Sequence, residues 1–139
     1  MNDVFVDTSA LYALLDADDV GHPAVKEAWA EILQSDTWMV TSNYILVETC
    51  ALLQSRIGIE AVRLFQEDIV PLFDVRWIDE ALHHAAASAL LVAGRRKLSL
   101  ADCASFEVMR QAGIRSAFSL DRHFQEQGFE TIPGQASST

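Results

Sequence analysis

The chain has 139 residues, the usual size of one domain and too short for two well-formed cores. Half of the residues are hydrophobic and 22% are charged, a composition that can bury a core and excludes intrinsic disorder. Ten basic against 20 acidic residues argue against binding nucleic acid through bulk charge, but not against a nuclease whose acidic site meets phosphate through divalent cations.

The cysteines and the N-terminus indicate a protein of the cytoplasm. Cys50 and Cys103 form no CxxC pair, which makes a disulfide framework or a structural zinc site improbable. Residues 1–3 carry no basic segment typical of a signal peptide. The longest apolar run, 85–93, is too short to cross a bilayer. We therefore expect a cytoplasmic protein without a membrane partner.

Short apolar runs alternate with helical patterns along the chain. In chain order these patterns predict strand 4–6, helix 10–15, helix 23–33, strand 38–40, helix 43–56, helix 59–69, strand 72–77, helix 80–93, helix 100–112, strand 116–120 and strand 129–132. Thr8 or Ser9 is suited to cap the first helix, and Ser99 with Asp102 has the spacing of a capping box.

Strands that alternate with helices predict an α/β fold. We expect a central parallel β-sheet of four or five short strands flanked by helices. Residues 1–132 are expected to form the single domain, followed by a flexible tail over 133–139, which is rich in small and polar residues.

Two aspartates directly follow predicted strands. Asp7 comes after the first strand and Asp121 after the fourth, and ligands of parallel sheets bind beyond the carboxyl ends of the strands. Each residue also has an ordinary structural interpretation, because Asp7 can cap a helix and Asp121 can occupy a turn.

Two further carboxylates lie on predicted helices. Glu48 has apolar neighbours and no basic residue one turn away, so it either escapes at the edge of the apolar face or has a partner from elsewhere; we favour the partner. Asp102 is explained structurally by the capping box with Ser99, although the start of a helix also tolerates a functional carboxylate.

These four carboxylates could converge at one end of the sheet. Ionised carboxylates within a few ångströms repel one another, so such a cluster requires a cation. Ligation by oxygen alone selects Mg²⁺ or Mn²⁺ over zinc, and these ions support hydrolysis of phosphodiesters.

Four segments give the sequence its resemblance to a known family: residues 4–9, the helix that carries Glu48, residues 98–106 and residues 118–124. Together they resemble the PIN-domain family from residue 4 to about 132. The resemblance implies a Mg²⁺- or Mn²⁺-dependent endoribonuclease with a central parallel sheet sandwiched between helices. Small members of this kind are often toxins of toxin–antitoxin pairs, so it also implies an RNA substrate, a cognate antitoxin and a homodimer.

The resemblance also assigns roles to residues. Asp7, Glu48, Asp102 and Asp121 fall on the family's acidic quartet, as catalytic residues and metal ligands. Thr8 or Ser9 could orient Asp7 through a hydroxyl hydrogen bond, although a plain helix cap is an equally good explanation of either residue.

The remaining polar features point less clearly to a function. Arg95, Arg96 and Lys97 form the only basic run; they could contact RNA phosphates or complement the end of the preceding helix. The four histidines lack metal-ligand spacing and are interpreted as surface or packing residues.

Other functions remain as alternatives. A haloacid-dehalogenase phosphatase also has Asp after its first strand, but expects a second Asp where this chain has Ser9. A phospho-receiver domain expects an acidic pair, of which Asp7 supplies only one member. An RNA-processing nuclease that is not a toxin, and a catalytically silent interaction module on the same fold, are also compatible with the sequence.

Overall fold

The strands in the computed structural model, which describes residues 2–134, all run parallel to one another in a single sheet. The five strands of this region are β1 (Asn2–Val6), β2 (Thr37–Ser42), β3 (Asp74–Arg76), β4 (Ser116–Phe118) and β5 (Glu130–Ile132). Their order across the sheet is β3-β2-β1-β4-β5.

Seven α-helices connect the strands within the same residues. They are α1 (Thr8–Leu15), α2 (His22–Gln34), α3 (Asn43–Arg56), α4 (Ile59–Leu64), α5 (Glu80–Ala93), α6 (Leu100–Ala112) and α7 (Arg122–Glu126). None of the helices over residues 2–134 is long and apolar enough to cross a membrane.

The order in which the strands are added to the sheet reverses between β1 and β4. It builds β1, β2 and β3 towards one edge, then returns past β1 to add β4 and β5 on the other side. Right-handed crossovers therefore place α1 to α4 on one face of the sheet and α5 to α7 on the other. The carboxyl ends of β1 and β4 are neighbours at this change of direction, where parallel sheets form their ligand-binding crevice.

Aromatic side chains pack against both faces of the sheet. Phe5 of β1 lies 6.4 Å, between ring centroids, from Phe124 of α7, whose ring lies 5.1 Å from that of Phe106 of α6. On the opposite face, the ring of Trp29 in α2 stacks 5.9 Å from that of Phe118 in β4. Burial of these rings fixes α6 and α7 against the sheet, and with them the residues at the helix starts.

The structure confirms the predicted α/β fold, the parallel sheet and the capping box of Ser99 with Asp102. The structure decides among the residues that the sequence offered as the cap of α1. Asp7, not Thr8 or Ser9, is the capping residue, because its carboxylate accepts a hydrogen bond from the backbone N–H of Ser9.

Other elements also differ from the predicted ones. The helix predicted over 59–69 keeps α-helical geometry only to Leu64 and continues as a π-helical turn over Phe65–Ile69. A 3₁₀ turn over Val70–Leu72 then accommodates Pro71, which lacks the N–H that a helix interior needs. The short helix α7 was not predicted. Of the predicted tail, residues 135–139 lie outside the described residues.

Candidate active site

Three of the four predicted carboxylates lie beyond the carboxyl ends of β1 and β4, where the strand order reverses, and the charges of Asp102 and Asp121 act on Asp7. Asp7 follows β1, Asp121 follows β4 by three residues, and Asp102 lies in the first turn of α6. Asp7 and Asp102 are buried, whereas Asp121 is partly exposed. The cluster therefore opens to solvent on the side of Asp121.

Hydrogen bonds from two serines hold the carboxylate of Asp7. Its Oδ2 atom accepts from the Ser9 hydroxyl at 2.7 Å and from the Ser119 hydroxyl at 2.9 Å. The Ser9 hydroxyl accepts the backbone N–H of Leu120, and the Ser119 hydroxyl accepts that of Asp121. Because each hydroxyl accepts a backbone N–H, its own proton is directed at Asp7.

Ser9 thus makes the hydrogen bond to Asp7 that the sequence suggested for Thr8 or Ser9. Thr8 is buried, and its hydroxyl oxygen instead accepts a hydrogen bond from the Thr49 hydroxyl at 3.1 Å. This contact joins the start of α1 to the buried side of α3.

Burial raises the pKa of Asp7 to about 6. The hydrogen bonds from Ser9 and Ser119 stabilise the ionised form and lower the pKa, while the negative charges of Asp102 and Asp121 raise it further. The Asp7 carboxylate is therefore charged at neutral pH at a considerable cost in free energy.

Asp102 and Asp121 are each fixed by backbone N–H groups. Asp102 Oδ2 accepts the N–H of Ser99 at 3.1 Å, and Asp121 Oδ1 accepts the N–H of His123 at 2.9 Å. Burial raises the pKa of Asp102; the Ser99 N–H counteracts this rise, and the charge of Asp121 adds to it.

His123 reaches the same cluster from α7. Its Nδ1 atom lies 3.0 Å from Asp121 Oδ1 and 3.4 Å from Asp102 Oδ2. Asp102, Asp121 and His123 each offer one ligand atom within 4.8 Å of the others, a grouping that could hold a metal ion. His123, interpreted from the sequence as a surface or packing residue, therefore contacts the acidic cluster.

The donor set fits a divalent cation. No Lys or Arg between residues 2 and 134 forms an ion pair with Asp7, Asp102 or Asp121. In addition, His123 Nδ1 is buried and has no hydrogen-bond partner in that region. Carboxylate oxygens without basic partners, beside a buried nitrogen without a partner, are groups that a cation can satisfy together.

Glu48 makes none of the contacts described for the other three carboxylates, although its sequence favoured a partner from elsewhere in the chain. The buried residues of α3 are Ile45, Thr49 and Leu53, and Glu48 is exposed beside them. It makes no hydrogen bond or ion pair with residues 2–134. We expected a buried carboxylate that needs a partner, but an exposed one is hydrated by water. Its role as a fourth ligand stays a prediction.

The basic run lies in the loop between α5 and α6, close to α7. Arg95 forms a 3.0 Å ion pair with Glu126 of α7, while Arg96 and Lys97 are exposed. The ion pair joins this loop to the helix that carries His123. A role of these cations in binding RNA remains a prediction.

The sequence reasoning did not identify Ser119 or His123 as site residues. Both lie two positions from Asp121, and a hydroxyl or carboxylate side chain can bond the backbone two residues further along. This spacing was the available signal. It predicts a turn, but the contact of Ser119 with Asp7 depends on β1 and β4 being neighbours.

Comparison with known proteins shows which family the chain is similar to. The family model "PIN domain" matches residues 4–130. The chain is 35% identical over 130 residues to "23S rRNA-specific endonuclease VapC20" of Mycobacterium tuberculosis, in both strain CDC 1551 / Oshkosh and strain ATCC 25618 / H37Rv. The alignment covers 93% of this chain and 97% of the relative.

Two solved structures share the fold. The crystal structure of Mycobacterium tuberculosis VapC20, described as a sarcin-ricin loop cleaving toxin, aligns with a TM-score of 0.81 and 34% identity over 91% of this chain and 95% of that one. FitAcB from Neisseria gonorrhoeae aligns with a TM-score of 0.65 over 92% of this chain and 95% of that one; at 15% identity it shows the fold alone.

The fold and the carboxylate cluster define a nuclease of the metal-dependent class. The chain belongs to the PIN-domain family. Family membership confirms the resemblance seen in the sequence and the assignment as an endoribonuclease of the toxin type. It excludes the phosphatase and the phospho-receiver domain.

Replacement of Asp7 by Asn should stabilise the metal-free protein above pH 6. The amide oxygen still accepts the hydroxyl protons of Ser9 and Ser119, but no charge is buried. Because folding raises the carboxyl pKa from 3.8 to about 6, the wild type loses stability as the pH rises through this interval. The variant should therefore gain up to about 3 kcal/mol at pH 8 and little at pH 4.

Thermal or urea unfolding in EDTA at both pH values measures this difference. The exposed Asp36 gives a matched control, since Asp36→Asn should change stability little at either pH. A variant Asp7→Asn that is less stable than the wild type at pH 8 would contradict the assignment of the raised pKa to Asp7.

Proposed function

We propose that this PIN-domain nuclease hydrolyses phosphodiester bonds of 23S rRNA, at the sarcin-ricin loop, using Mg²⁺ or Mn²⁺ held by Asp7, Glu48, Asp102 and Asp121. It acts as the toxin of a toxin–antitoxin pair in the cytoplasm. The observation that carries the proposal is that Asp7, Asp102 and Asp121 lie close together beyond the carboxyl ends of β1 and β4. Over residues 2–134 no Lys or Arg side chain is paired with them.

Asp7, Asp102 and Asp121 are each positioned to hold the ion by a different part of the fold. Asp7 is oriented by the Ser9 and Ser119 hydroxyls and cannot rotate without breaking both bonds. Asp102 is fixed at the start of α6, where the helix dipole stabilises its charge. The partly exposed Asp121 lies at the solvent side, where substrate enters. A divalent ion bound there lowers the pKa of water that it ligates and neutralises charge on the leaving oxygen.

The choice of RNA follows from the relatives. VapC20 is named as specific for 23S rRNA and as cleaving the sarcin-ricin loop. The alignment with it, at 35% identity, covers 93% of this chain. The exposed Arg96 and Lys97 lie in a loop that is joined to α7 by the ion pair of Arg95 with Glu126. Cations so placed can hold the RNA backbone beside the acidic cluster, which would otherwise repel it.

An apolar groove supports a protein partner. It has a volume of about 640 Å³ and is lined by residues of α3, by Gln66 and Val70 of the two turns that precede β3, and by Val75 and Trp77. Val47 and Trp77 are 70% and 73% exposed, and large apolar side chains that cluster at a surface mark interaction sites. A cognate antitoxin and a second copy of the chain are the two partners we propose for the exposed apolar surface.

Cleavage of ribosomal RNA tests the proposed function. The wild type incubated with 23S rRNA and Mg²⁺ or Mn²⁺ should produce one break, which primer extension locates. Asp102→Asn should slow cleavage by roughly a hundredfold or more, because a neutral amide is a poorer ligand for the divalent ion that stabilises the developing negative charge. EDTA should abolish cleavage, and Asp36→Asn should cleave at the wild-type rate.

Each part of the proposal has its own contrary result. Cleavage that persists in EDTA would contradict metal dependence. A break outside the sarcin-ricin loop would contradict the proposed substrate site. Glu48→Gln tests the fourth ligand, and full activity of this variant would remove Glu48 from the metal site while leaving the other three.

The basic loop is tested by the salt dependence of RNA binding. Arg96→Ala and Lys97→Ala, each in an Asp102→Asn background that slows cleavage of the RNA, should weaken binding and reduce the slope of log K against log salt by about 1. Arg115→Ala is the control, because Arg115 lies at the amino end of β4, whereas the carboxylates lie beyond the carboxyl ends of the strands. An unchanged slope in both loop variants would leave these residues without a role in RNA binding.

A further inference from the structure

We propose that the Nδ1 atom of His123 is a direct ligand of the divalent cation, so that this site contains one nitrogen and favours Mn²⁺ over Mg²⁺. This inference rests on the proposed function, since it assumes that Asp102 and Asp121 hold the ion. It adds a ligand that lies outside the acidic quartet and that the sequence alone indicates to be a surface or packing residue.

The position of Nδ1 matches that of a ligand next to both carboxylates. Nδ1 lies 3.0 Å from Asp121 Oδ1 and 3.4 Å from Asp102 Oδ2. Neighbouring ligands on an octahedral ion with bonds of about 2.1 Å are separated by about 3.0 Å. The two measured separations are therefore close to the distance between neighbouring ligands in such a coordination shell.

The direction of the ring also favours ligation over a hydrogen bond. At 3.0 Å from Asp121 Oδ1, Nδ1 is within hydrogen-bonding distance, yet it makes no hydrogen bond within residues 2–134. The carboxylate oxygens therefore lie away from the axis along which the ring nitrogen points. This is the arrangement expected when a nitrogen and two oxygens point at a common centre instead of at one another.

The surrounding structure restricts movement of His123. Its side chain is 15% exposed and its backbone N–H donates to Asp121 Oδ1 at 2.9 Å. The next residue, Phe124, is fully buried against Phe5 and Phe106. The start of α7 is thus anchored by the core and by the same carboxylate that would share the ion.

A nitrogen ligand changes which ion the site prefers. Mg²⁺ is bound almost entirely by oxygen, whereas Mn²⁺ is a first-row transition ion that also binds sites containing a nitrogen ligand. Replacing one oxygen by the imidazole nitrogen of His123 therefore raises the affinity for Mn²⁺ relative to Mg²⁺. The preference follows from the donor atom and does not require a different geometry.

Pulsed electron paramagnetic resonance of bound Mn²⁺ tests the ligand directly. One equivalent of Mn²⁺ added to the full chain should show hyperfine coupling to a histidine ¹⁴N nucleus. His123→Asn places an amide oxygen near the position of Nδ1, so it should retain Mn²⁺ binding but lose this coupling. In competition titrations its preference for Mn²⁺ over Mg²⁺ should fall by about tenfold.

Matched variants separate the possible results. His84→Asn removes an exposed histidine of α5 and should keep both the coupling and the preference. Mn²⁺ that binds without nitrogen coupling, and whose binding is lost in Asp102→Asn, would overturn the role of His123 and leave the proposed nuclease site standing. Failure of the wild type to bind Mn²⁺ at these residues would overturn the proposed site and this inference together. Circular dichroism of each variant establishes that it is folded.

Discussion

The repulsion among buried carboxylates is the constraint on which the rest of the site depends. Asp7 and Asp102 are buried, Asp121 lies beside them, and no Lys or Arg of residues 2–134 pairs with any of the three. Ionised Asp102 and Asp121, whose ligand atoms lie within 4.8 Å of one another, repel by about 3 kcal/mol at an effective dielectric constant near 20. Such an arrangement destabilises the empty fold, and a divalent cation converts the same geometry into a binding site.

The fold keeps these charges together by using the sheet itself. Asp7 N–H donates to the carbonyl of Phe118, and the hydroxyls of Ser9 and Ser119 connect the Asp7 carboxylate to the chain that follows β4. A rotation of Asp7 away from the cluster would break the hydrogen bonds that the buried Ser119 hydroxyl and the partly buried Ser9 hydroxyl donate to it. The hydrogen bonds between two adjacent strand ends therefore hold Asp7 in place against the repulsion.

Local patterns in the sequence predicted much of this arrangement. The apolar runs before Asp7 and Asp121 predicted strands, and their parallel pairing predicted that the two carboxylates would meet. The capping box placed Asp102 at the start of a helix, as the structure shows. These features depend on neighbours in the chain and on general rules of sheet topology, so a single sequence is sufficient to predict them.

The features that were missed depend on contacts between distant parts of the chain. Ser119 contacts Asp7 across 112 positions, and His123 reaches Asp102 only because α7 packs on the sheet through Phe124. Glu48 was expected to need a partner because its helix neighbours are apolar, but rotation of α3 about its axis leaves it exposed beside the buried Thr49. Periodicity places the apolar face of a helix to within one residue, which is too coarse to decide whether a residue at its edge is buried.

The stability gained from a bound cation tests the central claim most directly. Thermal unfolding of the wild type, Asp7→Asn and Asp36→Asn should be measured at pH 7.5 in EDTA and in excess Mn²⁺. An ion present at a hundred times its dissociation constant stabilises the folded state by about 2.7 kcal/mol. The account predicts an increase in melting temperature for the wild type and Asp36→Asn, and a much smaller one for Asp7→Asn. Equal increases in all three proteins would show that Asp7 does not hold the ion and would contradict the account.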